Sequence, residues 1–444
     1  MQYDLIMLDR DGGEHVIHYD NSTSALTHAS GEPVIANLAN QEWPTDFTRV
    51  SPVEPARKSR NVVRLRIQLG LKCNMHCSYC LQHHERPFAV KTDIEDAKAF
   101  IANLDGWLVG SPEKIEFWGG EPMLYWPTIK YLVEQLHIKF PNAFYVMVMN
   151  GTLLTDEVID YAERFNIAIA ISHDGPGQHL RGNDPLDDPE MVDRIKRLFT
   201  RRRGYVSFNP VIHSGNYDIL AMLDWFKERF GNDVNVGCED VVTMHGDGDI
   251  WEKGALTDKQ LVDLQQNVMM AVIDGRGLQI GTFARTIDHL LRSIRFGRPS
   301  AAMHQACGMD RENHIAIDLK GNILSCNGAG ALGQHYAGNI SDMDAVRIKE
   351  CWHWSYREEC ASCPVLQLCA GSCMCQEGAN FYHSCNAHFH YYLGLMGGAL
   401  YLLTGWVLKE VRGEILRPDP KICDEPDSKY RADMIARIYG KTAA

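Results

Sequence analysis

The sequence has no basic block: 44 Lys and Arg face 57 Asp and Glu, a formal charge of −13 at neutral pH. That balance argues against a nucleic-acid footprint and favours a neutral or basic partner. The opening residues, MQYDLIMLDRDGGEHV, lack a basic stretch followed by an apolar run, so no secretory signal is expected. No tandem repeat or low-complexity tract stands out. One uncharged stretch, YYLGLMGGALYLLTGWVL at 391–408, barely reaches the ~18 residues of a membrane span, and it contains Gly394, Gly397, Gly398 and Gly405. Gly394 and Gly398 form a G-x-x-x-G pair, yet the stretch directly follows a cysteine-dense region and reads as a helix buried against it. The expectation is a cytoplasmic protein with neither nucleic acid nor membrane among its partners.

No cysteine occurs between Cys80 and Cys238, although the chain holds 14. Cys73, Cys77 and Cys80 crowd into LKCNMHCSYCLQHH, residues 71–84, at the spacing C-x3-C-x2-C. In a reducing compartment such thiols read as metal ligands rather than disulfides. Three thiolates suit a cubane iron–sulfur cluster with one iron left open to a small molecule. The other reading is a structural zinc with a distant fourth ligand, since His76, His83 and His84 are close by.

At 444 residues the chain exceeds the ~100–200 residues of a usual domain. Residues 1–60 read as a small β unit and linker, with YDLIML and EHVIHY flanking a Gly-Gly turn as a hairpin. From 61 to 295 strands and helices alternate. NVVRLRIQLGL, EKIEFWGG, FYVMVMNG, IAIAISHDG, GYVSFNPVIH and VNVGCEDVVTM are the strands, and Thr92 with Glu95 has the spacing of a capping box on the first helix. Six such units predict an α/β fold whose parallel sheet curls into a partial (β/α)6 barrel. Chemistry gathers at the C-terminal ends of such strands, where the Cys triplet, GGEP, NGTLL and SHDG all fall. Residues 296–390 form a cysteine-rich domain, and 391–444 a C-terminal helical segment.

The triplet after the first strand, Tyr79 before its third Cys, and GGEP at the second strand resemble the radical S-adenosylmethionine enzymes. The resemblance implies a [4Fe-4S] cluster whose open iron chelates the amino and carboxylate groups of S-adenosylmethionine. Its reductive cleavage gives a 5′-deoxyadenosyl radical that abstracts hydrogen from substrate. It further implies that Gly119, Gly120 and Glu121 meet the methionyl amino group. Asn150, Ser172 and Asp174 would bind ribose and methionyl groups, Arg181 the methionyl carboxylate, and Val211 would border the adenine. Taken singly, each of these also reads as a turn residue, a cap or core packing.

Cys307, Gly321-x4-Cys326, Cys360-x2-Cys363-x5-Cys369-x3-Cys373 and Cys385 resemble the SPASM extension, which holds two auxiliary clusters, usually [4Fe-4S]. Interleaved zinc ribbons are the alternative. In the family pattern Cys360, Cys363, Cys369 and Cys385 close one cluster, while Cys307, Cys326 and Cys373 serve the other. An eighth cysteine is missing from SAAMHQAC, so the inner cluster has an open iron, a non-Cys ligand, or one of Cys351 and Cys375; the open site is favoured. Cys238 and Cys423 read as ordinary thiols.

The resemblance implies a maturase that abstracts hydrogen from a ribosomally made precursor peptide, leader plus core, and forms an oxidative crosslink (C–C, C–O or thioether). A reducing partner such as flavodoxin or ferredoxin would serve it. The alternative is anaerobic sulfatase maturation, whose enzymes place a basic Asp after the second SPASM Cys. Here that residue is Asn327, whose amide takes no proton, and no catalytic base is assigned. Residues 1–60 either recruit a leader by strand addition or cover the barrel's open edge. A zinc-stabilised binding module is the reading of a different class; the motifs at successive strand ends argue against it.

Overall fold

The computed structural model describes residues 1–36, 38, 41–243 and 254–418, so Cys423 lies outside the described residues. Alternating apolar positions build β1 (Gln2–Leu8) and β2 (Glu14–Asp20) as an antiparallel hairpin, which β3 (Ala25–His28) extends. After β4 (Ala56–Arg57) come the strands of the parallel sheet, β5 (Arg64–Gln68), β6 (Lys114–Trp118), β7 (Phe144–Met149), β8 (Ala168–Ile171) and β9 (Val206–Phe208). They lie side by side in that order, all parallel. Helices α1 (Ile94–Ala102), α2 (Trp126–Lys139), α3 (Asp156–Arg164), α4 (Pro189–Arg201) and α5 (Ile219–Phe230) connect or follow them. Ile67, Ile115, Phe117, Met147 and Ile169 of the sheet, with Phe100, Leu132 and Ile195 of the helices, are buried in one core.

Two local expectations shift. The capping box of α1 belongs to Asp93 and Asp96 rather than to Thr92 and Glu95. The Thr92 hydroxyl donates instead to the Leu69 carbonyl, which ties the approach of α1 to the end of β5. The sixth predicted strand is reduced to two parallel bridges, Phe208↔Val236 and Ile212↔Val241. Pro210 sits between them and has no N–H to continue the ladder.

The expectation that the leading hairpin covers the barrel's edge is corrected. The edge of β5 is covered by β10 (His314–Asp318), a parallel strand from the cysteine-rich half, and β11 (Asn322–Leu324) and β12 (Tyr336–Asn339) continue the sheet. A two-residue strand, β13 (Arg347–Ile348), pairs with β4. The leading sheet packs elsewhere: the Asn21 amide donates to the carbonyls of Ala361 (3.0 Å) and Cys363 (2.8 Å), beside the outer cysteine set.

Of the helical segment expected at 391–444, residues 419–444 lie outside the described residues, and the described part is helix only as far as Thr404. Helices α6 (Asp258–Asp274) and α7 (Gly281–Phe296) precede α8 (Gly378–Thr404), which starts early enough to carry Cys385. It stops at Gly405, with φ of 72°, and the chain turns into β14 (Val407–Arg412), antiparallel to β1. The free edge of β1 is thereby paired. The G-x-x-x-G pair lets α8 lie close against α6: a Cβ on Gly394 would stand 2.5 Å from the Gln265 carbonyl, and one on Gly398 2.5 Å from Val272 Cβ. Among the described residues no helix is long and apolar enough to cross a membrane.

Candidate active site

The loop after β5 delivers Cys73, Cys77 and Cys80 to one wall of a cavity of about 200 Å³ at the C-terminal ends of the parallel strands. It is pinned to the far side of the sheet by Ser78, whose N–H donates to the Leu180 carbonyl at 2.8 Å. Burial pushes the Cys77 thiol up to about 11 and raises that of Cys73. A cationic metal centre reverses that cost by binding the thiolates. Arg86, 3.8 Å from Cys80 Sγ, is a further positive neighbour.

The opposing strand ends supply the room. A Cβ on Gly119 would stand 2.5 Å from the Gly70 carbonyl, and one on Gly120 would collide with the carbonyls of Lys72 and Leu71. Glu121 is buried, with Oε1 accepting from Met123 N (3.0 Å) and Oε2 from Asn150 N (2.7 Å). Burial pushes its carboxyl up to about 7 against those two N–H donors. An ammonium group arriving in the cavity would meet an acceptor with lone pairs still available.

Tyr79, Gly119, Gly120, Glu121, Asn150, Ser172, Arg181 and Val211 all line this cavity with the three thiols. Asp174 does not. It is fully buried behind the wall: its Oδ1 accepts from Val211 N (3.0 Å), and its Oδ2 meets the Tyr79 hydroxyl, His213 Nε2 (3.1 Å) and Arg181 Nε (3.0 Å). Burial resists its ionisation, but Arg181 and His213 prevail and hold its carboxyl down at about 2. The structure thus places Asp174 behind Tyr79 and Arg181, anchoring the wall, and not on the cavity surface where the ribose contact was expected. Asn150 is similarly engaged, donating to Asn74 Oδ1 (2.8 Å) and accepting from Thr152 N (3.0 Å).

Glu239 and Asp240, from the irregular sixth strand, complete the wall. Asp240 is tied to His388 Nε2 at 3.3 Å. Glu239 retains accessible surface and faces the cavity, while crowding by protein raises its carboxyl, with Arg181 opposing and Asp240 adding to the rise. The sequence reading missed this group. Its signal was the position of GCED at a strand's C-terminal end, where the other motifs also lie.

Two further cysteine sets gather outside the barrel. Cys360, Cys363, Cys369 and Cys385 border one small cleft with Arg417. Burial raises all four thiols, Cys363 to about 12; Cys360, Cys363 and Cys369 are pushed further by others of the set, while Arg417 opposes the rise of Cys385. Burial likewise lifts Cys307 and Cys326 to about 12, and Cys373 pushes each further. Buried thiols that oppose one another's ionisation fit a polynuclear cationic core, so both sets suit iron–sulfur clusters. Asn327, next to Cys326, is held by Gln68 Nε2 on its carbonyl (2.8 Å) and by Arg66 on its amide oxygen (3.3 Å).

The family model of the Radical SAM superfamily matches residues 67–226. The chain is 22% identical over 357 residues to the radical SAM cyclopropyl synthase TigE of Paramaledivibacter caminithermalis, covering 73% of this chain and 70% of the relative. It is 23% identical over 344 residues to the serine-type anaerobic sulfatase-maturating enzyme of Bacteroides thetaiotaomicron, covering 69% and 80%. The solved structure of native anSMEcpe with bound AdoMet and Cp18Cys peptide superposes with a TM-score of 0.57 at 18% identity, over 77% of this chain and 99% of that one. The cysteine triplet at the mouth of the parallel sheet lies within the segment that matches the Radical SAM superfamily model, so residues 67–226 form a Radical SAM segment.

Proposed function

We propose that the chain is a radical S-adenosylmethionine enzyme that acts as a peptide maturase, closing an oxidative crosslink in a ribosomally made precursor. The observation that carries the reading is the cavity itself. It gathers three cluster-type thiols, a buried carboxylate at Glu121, a guanidinium at Arg181 and a cavity-facing carboxylate at Glu239. TigE is named as a radical SAM cyclopropyl synthase, which supports the radical chemistry, and the anSMEcpe structure holds AdoMet and a peptide, which supports the substrate class.

When bound, the cluster and S-adenosylmethionine supply a carbon-centred radical for hydrogen abstraction, and the auxiliary clusters an acceptor for the second electron. Cys73, Cys77 and Cys80 would hold the first cluster. Glu121 accepts hydrogen bonds from the methionyl ammonium, and Gly119 and Gly120 leave space for it. Arg181, oriented by Asp174, retains N–H donors for a carboxylate. Trp118, Val148, Met149 and Val211 make the wall apolar and exclude water. Glu239 takes the substrate proton.

A second reading, sulfatase maturation, has one observation in its favour: Glu239 supplies the carboxylate that Asn327 does not. Both readings place the chain in a reducing compartment with a flavodoxin- or ferredoxin-like electron donor. Anaerobic reconstitution followed by reduction with S-adenosylmethionine tests the common core. About twelve irons per chain with 5′-deoxyadenosine released supports it; zinc in place of iron and no cleavage returns the chain to the binding-module reading. Serine-to-formylglycine oxidation also removes two hydrogens, so the product's functional group separates the readings. A crosslinked precursor peptide gives no aldehyde, whereas a formylglycine-bearing sulfatase peptide is trapped by a hydrazine.

A further inference from the structure

We infer that Lys58 places a fixed positive charge beside the inner cysteine set, Cys307, Cys326 and Cys373, and thereby raises the reduction potential of the cluster that this set would hold. The inference rests on reading the set as an iron–sulfur site. Lys58 directly follows β4, whose partner β13 ends shortly before Cys351. Its side chain turns inward: Nζ donates to the Met309 carbonyl at 2.6 Å and to the Arg311 carbonyl at 2.8 Å, in the turn that follows Cys307. The neighbouring backbone is tied to the same turn, with Ser59 N donating to the Glu312 carbonyl at 2.8 Å. The residue is only 6% exposed.

A lysine this far from water is costly, because burial strips the ammonium of its hydration and the two carbonyls that replace it are neutral. The carboxylate that acts on it most, Asp310, makes no hydrogen bond to it. Asp310 Oδ2 is taken by His304 Nδ1 at 2.8 Å and Gln305 N at 3.1 Å, and Oδ1 has no partner among the described residues. Burial lowers the ammonium to about 8, while Asp310, Cys307 and Cys351 oppose the fall. A buried charge is a poor way to stabilise a turn, since an apolar side chain of similar volume avoids the desolvation. Its effect falls on what stands beside it.

An anionic cluster on the inner set gains from such a charge. Away from water, the attraction between the ammonium and the cluster grows when an electron is added, and net charge is one of the levers on cluster potential. In that step one electron arrives, no bond forms and no proton moves. Arg66 also acts on Cys307, but its guanidinium is paired with Glu116, Nε to Oε2 at 3.1 Å. A raised potential makes the inner cluster the better acceptor for an electron leaving a substrate radical.

The test is a redox titration, followed by electron paramagnetic resonance, of the full chain with its clusters reconstituted anaerobically. The signal that vanishes in Cys326→Ala belongs to the inner cluster. Lys58→Met keeps an apolar stem and removes the charge; Lys58→Gln also removes the charge but keeps a donor for the carbonyls. Both should retain wild-type iron and sulfide. Both should lower the inner cluster's reduced-to-oxidised ratio at a fixed potential by about tenfold or more, a fall of about 59 mV or more in midpoint for one electron. An unchanged midpoint in both variants overturns the proposal. So does a shift in Lys58→Met that is absent from Lys58→Gln, since a donor without charge would then be enough. Loss of one cluster's iron in both variants would make Lys58 a structural clamp on the turn and refute the electrostatic role. A wild-type chain with no signal that depends on Cys326 removes the cluster assignment itself, and the proposal with it.

Discussion

Arg181 Nε lies 3.0 Å from Asp174 Oδ2, with the two side chains 9% and 0% exposed. An ion pair this far from water is costly to break from one side, because the remaining charge stays buried without compensation. Asp174→Asn should therefore destabilise the fold by about 3–5 kcal/mol. It should also weaken S-adenosylmethionine binding, since Arg181 loses the partner that orients it. Urea unfolding of both proteins checks the first effect; a variant within about 0.5 kcal/mol of wild type would show that the pair is not anchoring the wall.

Gly120 is held where no side chain fits. A Cβ there meets the carbonyls of Lys72 and Leu71, which belong to the backbone leading into Cys73. Gly120→Ala should push that backbone away and cost about 1–3 kcal/mol. More tellingly, it should displace Cys73, so that reconstituted protein lacks the iron of one cluster and cleaves no S-adenosylmethionine. Full iron content with normal 5′-deoxyadenosine release would refute the steric argument.

Glu121 gives the site a pH dependence with a definite sign. Its carboxyl rises from an ordinary 4.5 to about 7 because burial opposes the charge. A group raised on folding contributes stability that is fully present below 4.5 and is lost as pH climbs through about 7. The loss across that window should be about 3 kcal/mol in ligand-free protein. Measured as the wild-type stability minus that of Glu121→Gln from pH 5 to 8, the difference should fall with rising pH. A flat difference would mean the carboxyl is not desolvated.

Parallel, doubly covered strands read as apolar runs, so β5 to β8 and the motifs at their ends were visible in the sequence, and the triplet spacing carried the cofactor class with it. What stayed hidden depended on meetings between distant segments. Nothing in VLKEVR announces that it will pair with QYDLIML at the other end of the chain, or that HIAID will complete the edge of β5. Asp174 looked like a ligand contact because its four partners, Tyr79, Arg181, Val211 and His213, come from separate loops.

The glycine face of α8 is a packing device, and it can be tested apart from the chemistry. Gly394 faces α6 so closely that a Cβ would stand 2.5 Å from the Gln265 carbonyl and 2.8 Å from Val268 Cβ. Backbone offers no escape route, so Gly394→Val should separate the helices and cost about 3 kcal/mol. The solvent-side Leu402→Ala, on the same helix, should change stability by less than about 0.5 kcal/mol. Equal effects from both substitutions in thermal unfolding would argue that the close approach of α6 and α8 is not what holds α8 in place.

Glu239 carries the heaviest functional claim and the sharpest dissection. It faces the cavity that holds the triplet thiols, crowding raises its carboxyl, and the adjacent Arg181 keeps it from rising further. A carboxyl raised in this way accepts a proton more readily than one at its ordinary value. Glu239→Gln preserves shape and hydrogen bonding but removes the base. S-adenosylmethionine cleavage should persist within a few-fold of wild type, because no cluster ligand is touched. Formation of modified peptide should drop by about 10²–10⁴-fold, and the pH dependence of product formation on its acid side should disappear. Loss of both activities together would instead assign Glu239 to cofactor binding. An unchanged product yield would move the base to another group and remove the observation that favours sulfatase maturation as the second reading.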